Sequence, residues 1–111
     1  MASSTLDILN EFSLLDELSR TVLQEFSKTI IENKFFIYKN YLLEDADIVE
    51  FKNEWNFNPQ KCALDKYSNK FLYPIILLAN NSPSIFTFHI DNYTFIKIPQ
   101  IDKIEYIAFN Y

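Results

Sequence analysis

The sequence predicts an α+β domain, on three observations. An apolar stripe recurs every three to four residues through the first thirty positions, and an aromatic, branched run beginning at residue 35 switches to a two-residue period. Two helical segments with proline near their starts then lead to a strand-like run closed by Pro99. The expected order is a long N-terminal amphipathic helix, a strand-helix-helix-strand unit and a C-terminal strand. Residues 1–34 form the helical interaction segment, 35–99 the central domain and 100–111 a strand-like tail.

Each element has its own signal. Ser3, Ser4 or Thr5 can cap a helix whose first turns carry Asp7 and Glu11, and Ile8, Phe12, Leu15, Val22, Phe26 and Ile30 share one face. The helix is expected over about residues 5–33, either continuous or broken near Ser19. At a rise of about 1.5 Å per residue it would reach roughly 40 Å and overhang a domain this small. An overhanging apolar stripe calls for a partner helix.

Phe35 to Leu43 (FFIYKNYLL) is expected as a strand. Glu44, Asp45 and Asp47 then make an acidic turn that caps a short helix carrying Ile48, Phe51 and Trp55 on one side. Asn58-Pro59 starts a helix running to Tyr67, since asparagine accepts the free amides and proline needs no donor in the first turn. Pro74 lies in the first turn of the next helix, whose Ile75 to Ala79 is apolar on nearly every side and so is expected to be buried. After Asn80-Asn81, the runs around Asp91-Asn92 predict either a hairpin or a loop into one last strand. Lys103 to Tyr111 reads as a strand with Ile107, Phe109 and Tyr111 on one face and Ile104 and Tyr106 on the other. Apolar on both faces, it is expected to join a sheet edge.

Composition excludes several classes of chemistry. The chain has 111 residues, with 49% hydrophobic and 17% aromatic residues, enough for one modest core. The formal charge of −5 is concentrated before residue 58, and the lysines are too scattered to build a basic face for nucleic acid. Glycine is absent, which removes phosphate-cradling loops, dinucleotide fingerprints and nucleophile elbows. Asparagine is expected to serve the tight turns at Asn80-Asn81 and Asn92. One cysteine, Cys62, and one histidine, His89, offer a Cys-His pair in principle, yet both sit among packing residues and no orienting third group can be identified. The acidic turn lacks the glycine and distal glutamate of a calcium loop. The expectation is therefore no catalysis, no metal and no cofactor. The opening MASSTLDILNEF lacks a basic, apolar leader pattern, and no segment has the roughly 18 to 20 apolar residues of a membrane span.

Tyr73-Pro74-Ile75-Ile76-Leu77-Leu78-Ala79-Asn80 resembles the second helix of LysM domains, and Phe95-Ile96-Lys97-Ile98-Pro99 is similar to their closing strand. The likeness covers about residues 35–99. Leu43-Glu44-Asp45 and Asn92-Tyr93 stand where sugar-binding LysM modules usually carry a Gly-Asp-Thr turn and a glycine, and the connection before Pro59 is lengthened. A LysM-like unit without the sugar turn, preceded by an amphipathic helix, resembles baseplate wedge subunits of contractile-tailed bacteriophages. The resemblance implies a virion structural part, assembled in the host cytoplasm and contacting other tail or baseplate proteins or copies of itself. The expected contact residues are Ile8, Phe12, Leu15, Val22 and Phe26 on the helix, and Ile104, Tyr106, Ile107, Phe109 and Tyr111 on the terminal strand. Two rival readings are a peptidoglycan-binding LysM module, with contacts from Glu44, Asp45 and the 80–84 loop, and a small acidic regulatory protein that covers a basic partner.

Overall fold

The structure, a computed structural model, describes residues 16–111. It is an α+β arrangement of helices and one two-stranded antiparallel sheet. The helices are α1 (Glu17–Phe26), α2 (Lys34–Ile37), α3 (Lys39–Leu42), α4 (Pro59–Tyr67), α5 (Tyr73–Ala79) and α6 (Ile101–Asn110). The strands are β1 (Asp47–Glu50) and β2 (Phe95–Ile98), with Ile48 opposite Lys97 and Val49 opposite Ile96. Single 3-10 turns at Ile30–Glu32, Asn53–Trp55, Lys70–Leu72 and Ile85–Thr87 join them.

Within the described residues the apolar stripe does not form one continuous helix. Asp16 caps α1, its carboxylate accepting the Ser19 N–H at 2.7 Å, and the helix ends at Phe26. Thr29 and Asn33 then take extended backbone on either side of a 3-10 turn, so no continuous helix reaches residue 33. The expected contacts Ile8, Phe12 and Leu15 lie outside the described residues. Val22 is fully buried and Phe26 packs against the core, so these two serve this chain's own interior.

Three further expectations are corrected. Residues 35–43 form two short helices: the Asn33 side chain accepts the Phe35 and Phe36 N–H groups at 2.9 and 3.3 Å, a cap that starts a helix in an aromatic run. The acidic turn leads into β1 instead of a helix, because residues 47–50 find β2 as a pairing partner. The C-terminal segment is α6, not an edge strand. Ile104, Ile107 and Ala108 turn inward together at helical spacing, which leaves Tyr106, Phe109 and Tyr111 partly exposed.

The two proline-marked helices start where the sequence places them. Asn58 accepts the Lys61 N–H at 3.2 Å with Pro59 in the first turn of α4, and Pro74 occupies the first turn of α5. Asp91-Asn92 belongs to a loop into β2, so the hairpin alternative is not formed. β2 stops at Ile98, before Pro99, whose carbonyl accepts the Tyr67 hydroxyl at 2.6 Å.

Two clusters make the core. The first joins Val22, Phe35, Leu42, Leu72, Ile75, Ile104 and Ile107, so α1, α2, α3 and α6 close over one side of α5. The second joins Phe51, Trp55, Cys62, Ala63, Ile76, Phe88, Ile96 and Ile98 beneath the sheet. Ile75 feeds the first and Ile76 the second, which explains why α5 is apolar around most of its circumference. Trp55 is fully buried and donates its indole N–H to Asp65 at 2.8 Å. That bond comes first, with the Lys61 ion pair at 3.0 Å, in holding the Asp65 carboxyl below the usual carboxylate range.

Candidate interaction surface

Segment 30–38 and the end of α6 are tied together by polar and aromatic contacts. Lys34 Nζ donates to the Ala108 carbonyl at 2.7 Å and the Tyr111 carbonyl at 2.9 Å, supplying positive charge where the last carbonyls of α6 lack helical partners. Tyr38 stacks on Tyr111 with ring centroids 3.8 Å apart, and Tyr106 meets Tyr111 edge-on at 5.2 Å. Tyr41 lies 5.6 Å from Tyr106, and Lys103 sits 4.2 Å over the Tyr41 ring. Burial against these neighbouring rings pushes the Tyr111 phenol above its ordinary value.

Both tied segments also carry exposed large side chains. Ile31 is 85% exposed, Ile37 57% and Phe109 47%, with Tyr106 and Tyr111 at similar levels to Phe109. Aromatic residues grouped this way on a surface are characteristic of protein interfaces, because they bury much area at low entropy cost. The structure thus brings Tyr106 and Tyr111 together with Tyr38 and Tyr41. Ile104 and Ile107 are fully buried and cannot meet a partner. The 30–38 half of this surface has no sequence signal of its own, because Ile30 continues the helical stripe and the run from Phe35 fits a two-residue period.

Beside this junction lies a groove of about 390 Å³ between the end of α1 and the end of α5. Phe26, Ile30, Phe36, Leu77, Leu78 and Pro83 supply its apolar lining, and Lys28 and Lys39 border it. A smaller recess of about 190 Å³ shares Phe26, Leu77 and Pro83 and adds Pro74. Lys39 reaches across to the Asn81 side-chain oxygen.

Asn80 and Ser82 of the 80–84 loop are engaged internally. The side chain of Asn80 bonds both backbone groups of Lys97, its N–H at 2.7 Å and its carbonyl at 2.9 Å. Ser82 meets Thr87 at 2.6 Å and donates to the Ser84 carbonyl at 2.9 Å. The Asp45 carbonyl and the Asp47 carboxylate both accept from Gln100, at 2.9 and 3.2 Å, and Glu44 pairs with Lys103 at 3.6 Å.

No hydrogen bond joins Cys62 to His89. Cys62 is fully buried, and burial pushes its thiol up to about 12, whereas His89 packs over Phe57 with ring centroids 5.1 Å apart. Among the described residues no group of three or more His, Cys, Asp or Glu side chains is placed to hold a metal ion. Among them, too, no helix is long and apolar enough to cross a membrane. Comparison with family models, with curated proteins and with solved structures finds no match to this chain.

Proposed function

We propose that this chain is an architectural, non-catalytic attachment subunit of the baseplate wedge type in a contractile phage tail, built on a LysM-like unit. The observation that carries the reading is that Ile31, Ile37, Tyr106, Phe109 and Tyr111 are exposed on two segments, 30–38 and the end of α6, that Lys34 and the Tyr38–Tyr111 stack tie together. An apolar face on rigid elements loses little entropy when another subunit covers it.

Two features support the LysM-like part. The order β1-α4-α5-β2, with the two strands antiparallel neighbours, is a strand-helix-helix-strand unit over residues 47–98, narrower than the 35–99 suggested by sequence. Asn80, which closes the Ala-Asn end of α5, ties that helix to β2 through Lys97. Asn80 and Ser82, two of the positions a sugar would use, are committed to internal hydrogen bonds, which favours attachment over glycan recognition.

The test is the protein composition of purified tailed particles from the producing host. The reading expects the chain in the particles, and expects it to be lost when Ile31→Glu and Phe109→Glu are introduced together. Its absence from wild-type particles, or its retention with both charges in place, contradicts the reading.

A further inference from the structure

The two edges of the sheet differ. The Phe51 N–H bonds the Thr94 carbonyl at 3.0 Å in the β1–β2 register, so Asp47 and Val49 also turn their backbone groups toward β2. Ile48 and Glu50 therefore point theirs away from β2, and Phe95 and Lys97 point theirs away from β1. On the β2 side the Asn80 side chain takes both backbone groups of Lys97, at 2.7 and 2.9 Å. On the β1 side, among the described residues, no group bonds the N–H or the carbonyl of Ile48 or Glu50.

β1 carries no proline, no lysine and no bulge, three devices that commonly blunt an open edge. It carries acid instead. Glu50 is exposed on the outer face of the sheet with Ile48, opposite Phe95, and among the described residues it forms no ion pair. Glu44 and Asp47 are engaged by Lys103 and Gln100, which leaves Glu50 as the carboxylate standing on the edge itself.

Charge selects the occupant. Around β1, Glu44, Asp45, Asp47, Glu50 and Glu54 face only the ammonium of Lys52 within residues 44–54, so a second copy of β1 would bring the same acids alongside and be repelled. A strand with a basic side chain opposite Glu50 gains a cross-strand ion pair, and the apolar stem of that side chain covers the exposed Ile48. Its inward side chains extend the layer of Val49, which packs on the second core cluster.

We propose that the open edge of β1 receives one extended segment of a partner protein as a third strand, apolar on its inward face and basic on its outward face, with a basic side chain opposite Glu50. The main chain of Ile48 and Glu50 supplies the hydrogen bonds, and the Glu50 carboxylate selects the charge. The site stands apart from the attachment surface, which uses Ile31, Ile37 and the end of α6, so either can fail without the other.

The test titrates the full, isotope-labelled chain with an end-blocked peptide of about seven residues alternating lysine and valine, and reads amide hydrogen exchange by NMR. In the free chain the Ile48 and Glu50 amides should exchange rapidly, and those of Val49 and Phe51 slowly. The lysine peptide is expected to slow Ile48 and Glu50 severalfold. A matching glutamate-valine peptide is expected to leave them unchanged, and Glu50→Lys, at an exposed position, to weaken the first peptide and strengthen the second. No slowing at millimolar lysine peptide overturns the proposal. Equal slowing by a lysine peptide with methylated backbone amides also overturns it, since that peptide keeps the charge and cannot pair. Slowing in the free chain that grows with its own concentration overturns it as well and assigns the edge to a second copy.

Discussion

Asn80 closes the outer edge of β2 by making with Lys97 the two hydrogen bonds that a third strand would make: its side-chain oxygen accepts the Lys97 N–H at 2.7 Å and its amide donates to the Lys97 carbonyl at 2.9 Å. The same amide also donates to the Ile76 carbonyl at 2.9 Å, so one side chain fastens α5 to the sheet. Asn80→Ala should cost about 1–2 kcal/mol, because the lost bonds are partly replaced by water at this exposed edge. Urea denaturation should show a lower midpoint with an unchanged slope. An unchanged midpoint would mean that the pairing contributes nothing.

Glu25 links α1 to α2. Burial alone would raise its carboxyl, but the Lys28 ammonium and the Lys34 N–H outweigh that effect and hold it below its ordinary value of 4.5. With the folded value depressed, the stabilisation is present above 4.5 and is lost as pH falls through the folded value. Glu25→Gln should cost about 1–3 kcal/mol at neutral pH. The gap between variant and wild type should narrow well below pH 4.5. A pH-independent gap would contradict this assignment.

With no glycine in the chain, Asp45, Phe57, Ser68 and Asn81 take the left-handed backbone region. Ser68, at φ 56°, ends α4 with its N–H on the Leu64 carbonyl at 2.9 Å. A residue with a Cβ pays about 1–2 kcal/mol there, while glycine loses roughly 0.5–1 kcal/mol more chain entropy on folding. Ser68→Gly should therefore stabilise the domain by about 0.5–1 kcal/mol. Calorimetry should show a rise of a few degrees in Tm. A fall would indicate that the serine side chain contributes more than the strain it carries.

Cys62 should be chemically silent in the native state. It is fully buried in the cluster with Trp55 and Phe88, and its thiol is pushed up to about 12. A maleimide should react only as fast as the chain unfolds, in step with the loss of the buried fluorescence of Trp55, the single tryptophan. Rapid modification of folded protein would contradict the burial.

Local chemistry was legible and long-range pairing was not. Asn58-Pro59 announces its helix because the cap and the proline act within one turn, and Pro74 announces the next by the proline alone. Pro99 likewise ends β2 by lacking a donor. Residues 47–50 carry no comparable signal: Ile48, Phe51 and Trp55 fit a helical period, and only the register with residues 95–98 makes them a strand.

The C-terminal segment misleads for a different reason. Ile104, Tyr106, Ile107, Phe109 and Tyr111 satisfy a two-residue period, but Ile101, Ile104, Ile107 and Ala108 satisfy the helical one, and burial against α1, α2 and α3 selects it. The cap at Asn33 was the missed local clue for α2. Of the interaction surface, Tyr106, Phe109 and Tyr111 were found for their apolar character, while their neighbours across Lys34 required the fold.

The most direct test of the account is the solution mass of the full chain as concentration rises, compared with the same chain carrying Ile31→Glu and Phe109→Glu. Both positions are exposed, so the variant should keep the wild-type Tm. The account predicts that the wild type associates or reaches a solubility limit, and that the two charges return it to the mass of one chain. A wild type that remains a single-chain species throughout, with no gain in solubility from the charges, would contradict it.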